Sequence, residues 1–234
     1  MIISIDGIDG TGKGTQAKIL EEYLTGKQYT VQLISFPMYN SFFGKMISDY
    51  LNGNFGSLYS IDPKLASLLY AQDRQYYFKN LSIPNDAIII FDRYVNSNIA
   101  HHSSKISEKD RQAFIDWILE LEYQINNIPK PDISFILDLE VENSMQNVAR
   151  KKKREYTDST HDMHESNADY LIETRKVFLS LVNGVNTHLI KCDSNKIMRS
   201  QGDIAQEINA HIEALLKTHY SIHHGAHRNK QRKS

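Results

Sequence analysis

The chain has 234 residues, of which 41% are hydrophobic and 24% charged, with a formal net charge of −1 and one cysteine, Cys192. That length suits one α/β domain with a full-sized core, or at most two small ones, and a single cysteine excludes a disulfide framework. A near-neutral chain sets up no field to recruit nucleic acid or an anionic membrane, and no apolar stretch has the length of a membrane span or the flanks of a signal peptide, so a cytoplasmic protein that binds neither is expected.

Residues 1–5 are apolar and isoleucine-rich and run toward Gly7, which predicts a buried strand. Residues 15–24 carry Ala17, Leu20 and Leu24 at helical spacing, and 31–35 read as a second strand. A helix is predicted over 42–51, followed by the Asn52 to Gly56 loop. Asp62-Pro63 is a helix start, aspartate capping and proline in the first turn, and that helix runs to about Asn80. Residues 87–91 are the clearest buried strand. A long amphipathic helix is predicted over 107–127, with Phe114, Ile118, Leu121 and Ile125 on one stripe. A strand over 133–137 follows the Pro129-Lys130-Pro131 punctuation. Helices follow at about 141–152 and 164–181, then a strand near 187–191 and a last helix carrying Ile204, Ile208 and Ile212. Five apolar strand runs alternating with helices predict an α/β fold: a parallel five-stranded sheet with helices on both faces. Residues 1–220 read as one domain. Residues 221–234, rich in His, Arg and Lys without periodicity, read as a basic, disordered tail.

Between the first strand and the first helix stands Gly7-Ile8-Asp9-Gly10-Thr11-Gly12-Lys13-Gly14-Thr15. Glycines let backbone N–H groups converge on a phosphate, and the following helix adds the positive end of its dipole. This G-x-x-x-x-G-K loop predicts an NTP-binding site, with Lys13 reaching the β- and γ-phosphates. The position after the lysine, often Ser or Thr, is Gly14, and the hydroxyl comes one later at Thr15. Magnesium is therefore expected to be held through water and carboxylates. The Gly-Lys-Gly-Thr string is similar to the phosphate loop of adenylate kinases. A guanine-reading Asn-Lys-x-Asp string is absent.

Three further strings occur in fixed order: Phe36-Pro37-Met38-Tyr39, Leu69-Tyr70-Ala71-Gln72-Asp73-Arg74, and Asp92-Arg93-Tyr94-Val95-Asn96-Ser97-Asn98-Ile99-Ala100. Together with the phosphate loop they resemble the thymidylate kinase family, over residues 1 to about 178. The phosphate loop, Phe36–Tyr39 and Asp92-Arg93 all follow strand ends, so they can face one crevice, where open α/β sheets bind ligands. The resemblance implies a P-loop NTPase-like fold with a short basic lid, ATP and dTMP as substrates, Mg²⁺ as cofactor, and a homodimer.

It also implies roles. Arg93 meets the acceptor phosphate and the transferring group, where its fixed charge offsets repulsion between two anions; the alternative is an ion pair with Asp92. Asp92 either supports Mg²⁺ through water or caps the next helix. Asp9 orients Arg93, the acceptor or a metal-bound water. Tyr70 and Arg74, one helical turn apart, stack on a base and bond its carbonyl edge. Phe36, Pro37 and Tyr39 close the acceptor pocket. Ser97 and Asn98 read the base edge. His101 and His102 stand where the family commonly has Tyr and Gln. An aromatic ring at His101 can block a ribose 2′-OH, whereas histidine is smaller and can hydrogen-bond.

Residues 149–154 hold five cations in Arg150-Lys151-Lys152-Lys153-Arg154 and lie where the family has a mobile lid, here about 149–162. Arg150 and Arg154, four apart, are both candidates to neutralise the transferring phosphoryl group. Glu165 matches the family's Asp-x-x-Glu, and either helps hold Mg²⁺ or the acceptor sugar or interacts with a helix start. The function expected is transfer of the γ-phosphoryl of ATP to dTMP for deoxynucleotide supply. The rivals are a kinase for another nucleoside monophosphate and a nucleotide-dependent nucleic-acid-binding ATPase.

Overall fold

The structure is a computed structural model that describes residues 1–80, 86–150, 167–194 and 197–230, with side chains described as far as Lys217. Five strands, Ile2–Asp6 (β1), Val31–Ser35 (β2), Ile88–Asp92 (β3), Ile133–Asp138 (β4) and Thr187–Lys191 (β5), pair in the order β2-β3-β1-β4-β5. All four pairings are parallel. Parallel strands need crossovers, and helices supply them, so both faces of the sheet are covered.

Strand alternation sorts the core into two layers. Ile89 and Phe91 point to one face and meet Val95, Phe114, Ile118 and Phe178. Ile88 and Ile90 point to the other and meet Ala17, Leu20, Leu24, Ile204, Ile208 and Ile212. The first layer thus takes Val95–Ser103 (α4), Glu108–Glu120 (α5) and Ala168–Ser180 (α7). The second takes Lys13–Gly26 (α1) and Gln201–Lys230 (α8). A smaller cluster of Ile47, Tyr50, Leu51 and Ala66 joins Phe42–Leu51 (α2) to Pro63–Asn80 (α3). The Asp62 carboxylate accepts from Lys64 N at 2.7 Å, the capping bond that the Asp-Pro pair predicts. Among the described residues no helix is long and apolar enough to cross a membrane.

Several elements depart from the sequence reading. The helix predicted over 107–127 ends as α5 at Glu120 and continues as a π-helical turn, Leu121–Ile125. Asn126 N donates to Leu121 O at 2.8 Å, five residues back. The wider turn rotates the stripe, so Leu121 stays buried while Ile125 is 67% exposed, and Glu122 takes the inward position at 0%. The helix predicted over 141–152 is observed as Val141–Ala149 (α6), and that predicted over 164–181 as α7 from Ala168. A short hairpin of Asp193–Ser194 (β6) and Ile197–Met198 (β7) was not foreseen, its strands being too short to carry a period. The backbone of α8 continues helical to Lys230, past the start of the segment read as a tail.

Candidate active site

The phosphate loop joins β1 to α1 across a turn that only a bare backbone can make. Gly10 has φ +79°, and a Cβ there would lie 2.3 Å from Ser144 O. The loop is held from α6: Asn147 Nδ2 donates to Gly10 O at 2.9 Å, and Ser144 Oγ donates to Asp9 O. Lys13 opens α1, and its Nζ donates to Ile8 O at 2.8 Å, so the ammonium lies folded over the loop it serves. Thr11 Oγ1 donates to the same carbonyl at 2.9 Å.

Asp92 ends β3 and lies against the loop. A Cβ on Gly14 would stand 2.9 Å from Asp92 Oδ2, so the small residue after Lys13 makes room for this carboxylate. An oxygen donor beside a phosphate cradle fits a hard cation that keeps most of its water. Among the described residues, no three His, Cys, Asp or Glu side chains gather into a metal cage. Asp92 is thus a carboxylate that could touch a hydrated cation held mainly by other ligands.

Arg93 follows with φ +71°, a left-handed conformation costly for a side-chain-bearing residue. Its N donates to Ile5 O at 3.0 Å, and its guanidinium pairs with Asp9 of the phosphate loop. Asp6, fully buried at the end of β1, fixes the kink: its Oδ1 accepts from Tyr94 N at 2.8 Å, Ser97 N at 3.1 Å and Ser97 Oγ at 2.6 Å. Asp6 therefore places the start of α4 as a unit.

A single cavity enclosing about 490 Å³ of empty space, open mouth included, lies beside these groups. Its lining is Asp9, Phe36, Pro37, Tyr39, Leu51, Tyr70, Arg74, Arg93, Ser97, Asn98, His101 and His102. Its lining thus contains every described residue expected at the acceptor, together with Leu51 and His102. Phe36 is fixed by Tyr77 at 5.4 Å and Phe91 at 5.6 Å between ring centroids. Asp73 holds the loop after it, accepting from Met38 N at 2.8 Å and Ser41 Oγ at 2.7 Å. Tyr70 meets His102 at 5.1 Å.

Arg74 is 2% exposed and forms a two-point pair with Glu122, whose carboxylate also accepts from Asn98 Nδ2 at 2.8 Å. Burial opposes the charged guanidinium, and the Glu122 carboxylate more than offsets this, holding the Arg74 pKa above its usual value. Ser97 Oγ donates to Asp6, so its hydrogen is already used. His101 Nδ1 lies 2.9 Å from Tyr170 Oη. Burial, then the Arg93 charge, pushes the His101 pKa down to about 3, so the ring is neutral. Asp6, Glu122, Ser144, Asn147 and Tyr170 are functional supports that the sequence reading missed. Each comes from an element remote in sequence from the group it holds.

On the other side of the loop, Arg175 of α7 bridges Asp138 at the end of β4 (2.6 Å) and Glu140 (2.8 Å). These residues and Arg199 line a second, open hollow. Of the lid residues, Arg150 caps the end of α6 and is exposed. Arg154 and Glu165 lie outside the described residues.

Known proteins place the chain in a family. The family model described as thymidylate kinase matches residues 5–204. A probable thymidylate kinase of Sulfurisphaera tokodaii is 31% identical over 74% of this chain and 82% of its own length. One from Thermococcus kodakarensis is 29% identical over 79% of this chain and 90% of its own. The solved structure of thymidylate kinase from Candida albicans, an enzyme of broad substrate specificity, superposes with a TM-score of 0.67 at 24% identity, covering 91% of both chains, which shows the shared fold. With its family model matched over residues 5–204 of 234, the chain belongs to the thymidylate kinase family.

Proposed function

We propose that this protein transfers the γ-phosphoryl group of ATP to dTMP, giving dTDP and ADP, and so feeds deoxynucleotide supply. The observation that carries the reading is that one cavity is lined both by the buried Arg74 and Asn98 and by Arg93 and the phosphate-loop residue Asp9. Arg74 offers a donor and Asn98 Oδ1 an acceptor, matching the adjacent carbonyl and ring N–H of thymine. Phe36 and Tyr70 supply aromatic surface for the base.

In this scheme the loop amides and Lys13 hold the donor, and Arg93 draws in the acceptor phosphate. An acceptor phosphate oxygen attacks the γ-phosphorus, the bond to the ADP oxygen breaks, and no protein nucleophile is needed because the acceptor is already anionic. Asp9 keeps Arg93 aimed at the loop until the acceptor arrives. Mg²⁺ bound with ATP would neutralise phosphate charge, and Asp92 would help hold it through water. Arg150 and Arg154 are assigned to the lid, Glu165 to its end, and the protein to the cytoplasm as a homodimer.

The test is ADP release from Mg·ATP with dTMP, dGMP, AMP or no acceptor. Fast turnover confined to dTMP is expected. Equal turnover with every acceptor, or turnover without one, overturns the assignment.

A further inference from the structure

Glu122 is an acid at 0% exposure, placed inward by the π-helical turn, and it stands behind the residues that line the cavity, not among them. Its Oε2 accepts from Arg74 Nε at 3.2 Å, and its Oε1 accepts from Arg74 Nη2 and from Asn98 Nδ2 at 2.8 Å. The second hydrogen of the Asn98 amide goes to Ser67 O at 3.2 Å. A carboxylate and a carbonyl can only accept, so the amide has one satisfied orientation, nitrogen inward and Oδ1 away from both. Asn98 Oδ1 is buried and has no hydrogen-bond partner within the protein, on a side chain that lines the cavity at 2% exposure. Arg74, with Nε and Nη2 turned to Glu122, has Nη1 left to donate toward the same cavity.

We propose that Glu122 is a positioning residue that sets the polarity of the base pocket: by taking up the inner donors of Arg74 and Asn98, it presents one outward donor beside one outward acceptor. That pair complements the carbonyl and N–H of a pyrimidine imide. It opposes the amino group and bare ring nitrogen of cytosine, which would bury donor against donor and acceptor against acceptor. The inference rests on reading this cavity as the acceptor site.

The test compares dTMP with 5-methyl-2′-deoxycytidine monophosphate, which differs only at that edge. The wild type should favour dTMP by at least about a hundredfold in kcat/KM, the lower bound for a site whose buried polar groups a mismatched edge leaves unpaired. Glu122→Gln should raise the KM for dTMP about tenfold, leave kcat within about threefold, and cut the preference at least tenfold, since it loosens ground-state positioning rather than the transfer step. A merely structural role would lower stability and leave the preference unchanged. If Glu122→Gln does not fold, Asn98→Ala carries the test with the Arg74–Glu122 pair intact, and it too should lose the preference. A preference retained in the folded variants overturns the inference, whereas a wild type that does not phosphorylate dTMP overturns the function itself.

Discussion

Tyr170 of α7 donates its hydroxyl hydrogen to the His101 carbonyl at 2.9 Å, while His101 Nδ1 lies 2.9 Å from the same oxygen. The hydroxyl has one hydrogen, so the satisfied arrangement puts a hydrogen on Nδ1 and makes Nε2 the acceptor end of a neutral ring. A ring held this way is a fixed part of the cavity lining. Tyr170→Phe removes the contact that fixes the ring, and it should change the ratio of kcat/KM for dTMP and its ribose counterpart severalfold, with a smaller change in kcat for dTMP. An unchanged ratio would show that the pair plays no part in sugar recognition.

The same ring has a pH consequence. Its folded pKa of about 3 lies below the ordinary value of 6.5, so between those limits the unfolded chain binds the extra proton. Stability from this group is therefore complete above pH 6.5 and falls as pH drops toward 3, by up to about 1.4 kcal/mol per unit. Urea denaturation at several pH values should give a steeper acid loss for the wild type than for His101→Gln. Parallel curves would count against a neutral buried imidazole.

Arg93 and Lys13 separate catalysis from folding. Arg93→Ala leaves a half-buried site and should lower kcat by a hundredfold or more, about the cost of removing one charge-stabilising donor, while Tm moves by a few degrees. Comparable losses of activity and stability would reduce the Arg93–Asp9 pair to a structural tie. Lys13→Ala should abolish transfer, and turnover at the wild-type rate would refute the donor site.

Gly14 reports on magnesium. Gly14→Ala brings a Cβ to 2.9 Å from Asp92 Oδ2, and the short carboxylate has to move. The Mg²⁺ concentration giving half-maximal rate should rise severalfold, with the dTMP KM little changed. No shift in the Mg²⁺ dependence would detach Asp92 from the metal.

The Arg74–Glu122 pair should dominate mutational stability. Arg74→Leu leaves a carboxylate at 0% exposure without its main countercharge, at a cost of about 3–5 kcal/mol, and adding Glu122→Leu should recover part of it. Equilibrium urea unfolding of the single and double variants checks this, and additive losses would mean that the two charges do not act as a pair.

The sequence was most legible where one physical signal sufficed. The strands 31–35 and 187–191 and the helix 42–51 have the bounds that their apolar spacing predicts. The phosphate loop was legible because its glycines and lysine are contiguous. Phe36, Tyr70, Arg74, Arg93 and Asn98 were legible through family strings, each sitting at a strand end or on one helix face. The predicted inward position of Ile125 failed because helical periodicity assumes a constant turn. The demand of buried Arg74 for a countercharge, met 48 residues away by Glu122, accompanies a π turn that the stripe alone could not reveal.

By itself, then, the sequence determined the parallel α/β order, the glycine-lysine loop and, through the family strings, most of the residues that line the cavity, because contiguous strings and strand ends carry that information. Only the tertiary structure decided how those residues are held: Arg93 aimed at Asp9, Asn98 and Arg74 oriented by Glu122, His101 fixed by Tyr170, and the loop pinned by Ser144 and Asn147. Hydrogen-bond direction and burial depend on partners brought together by packing, and separation along the chain does not encode them.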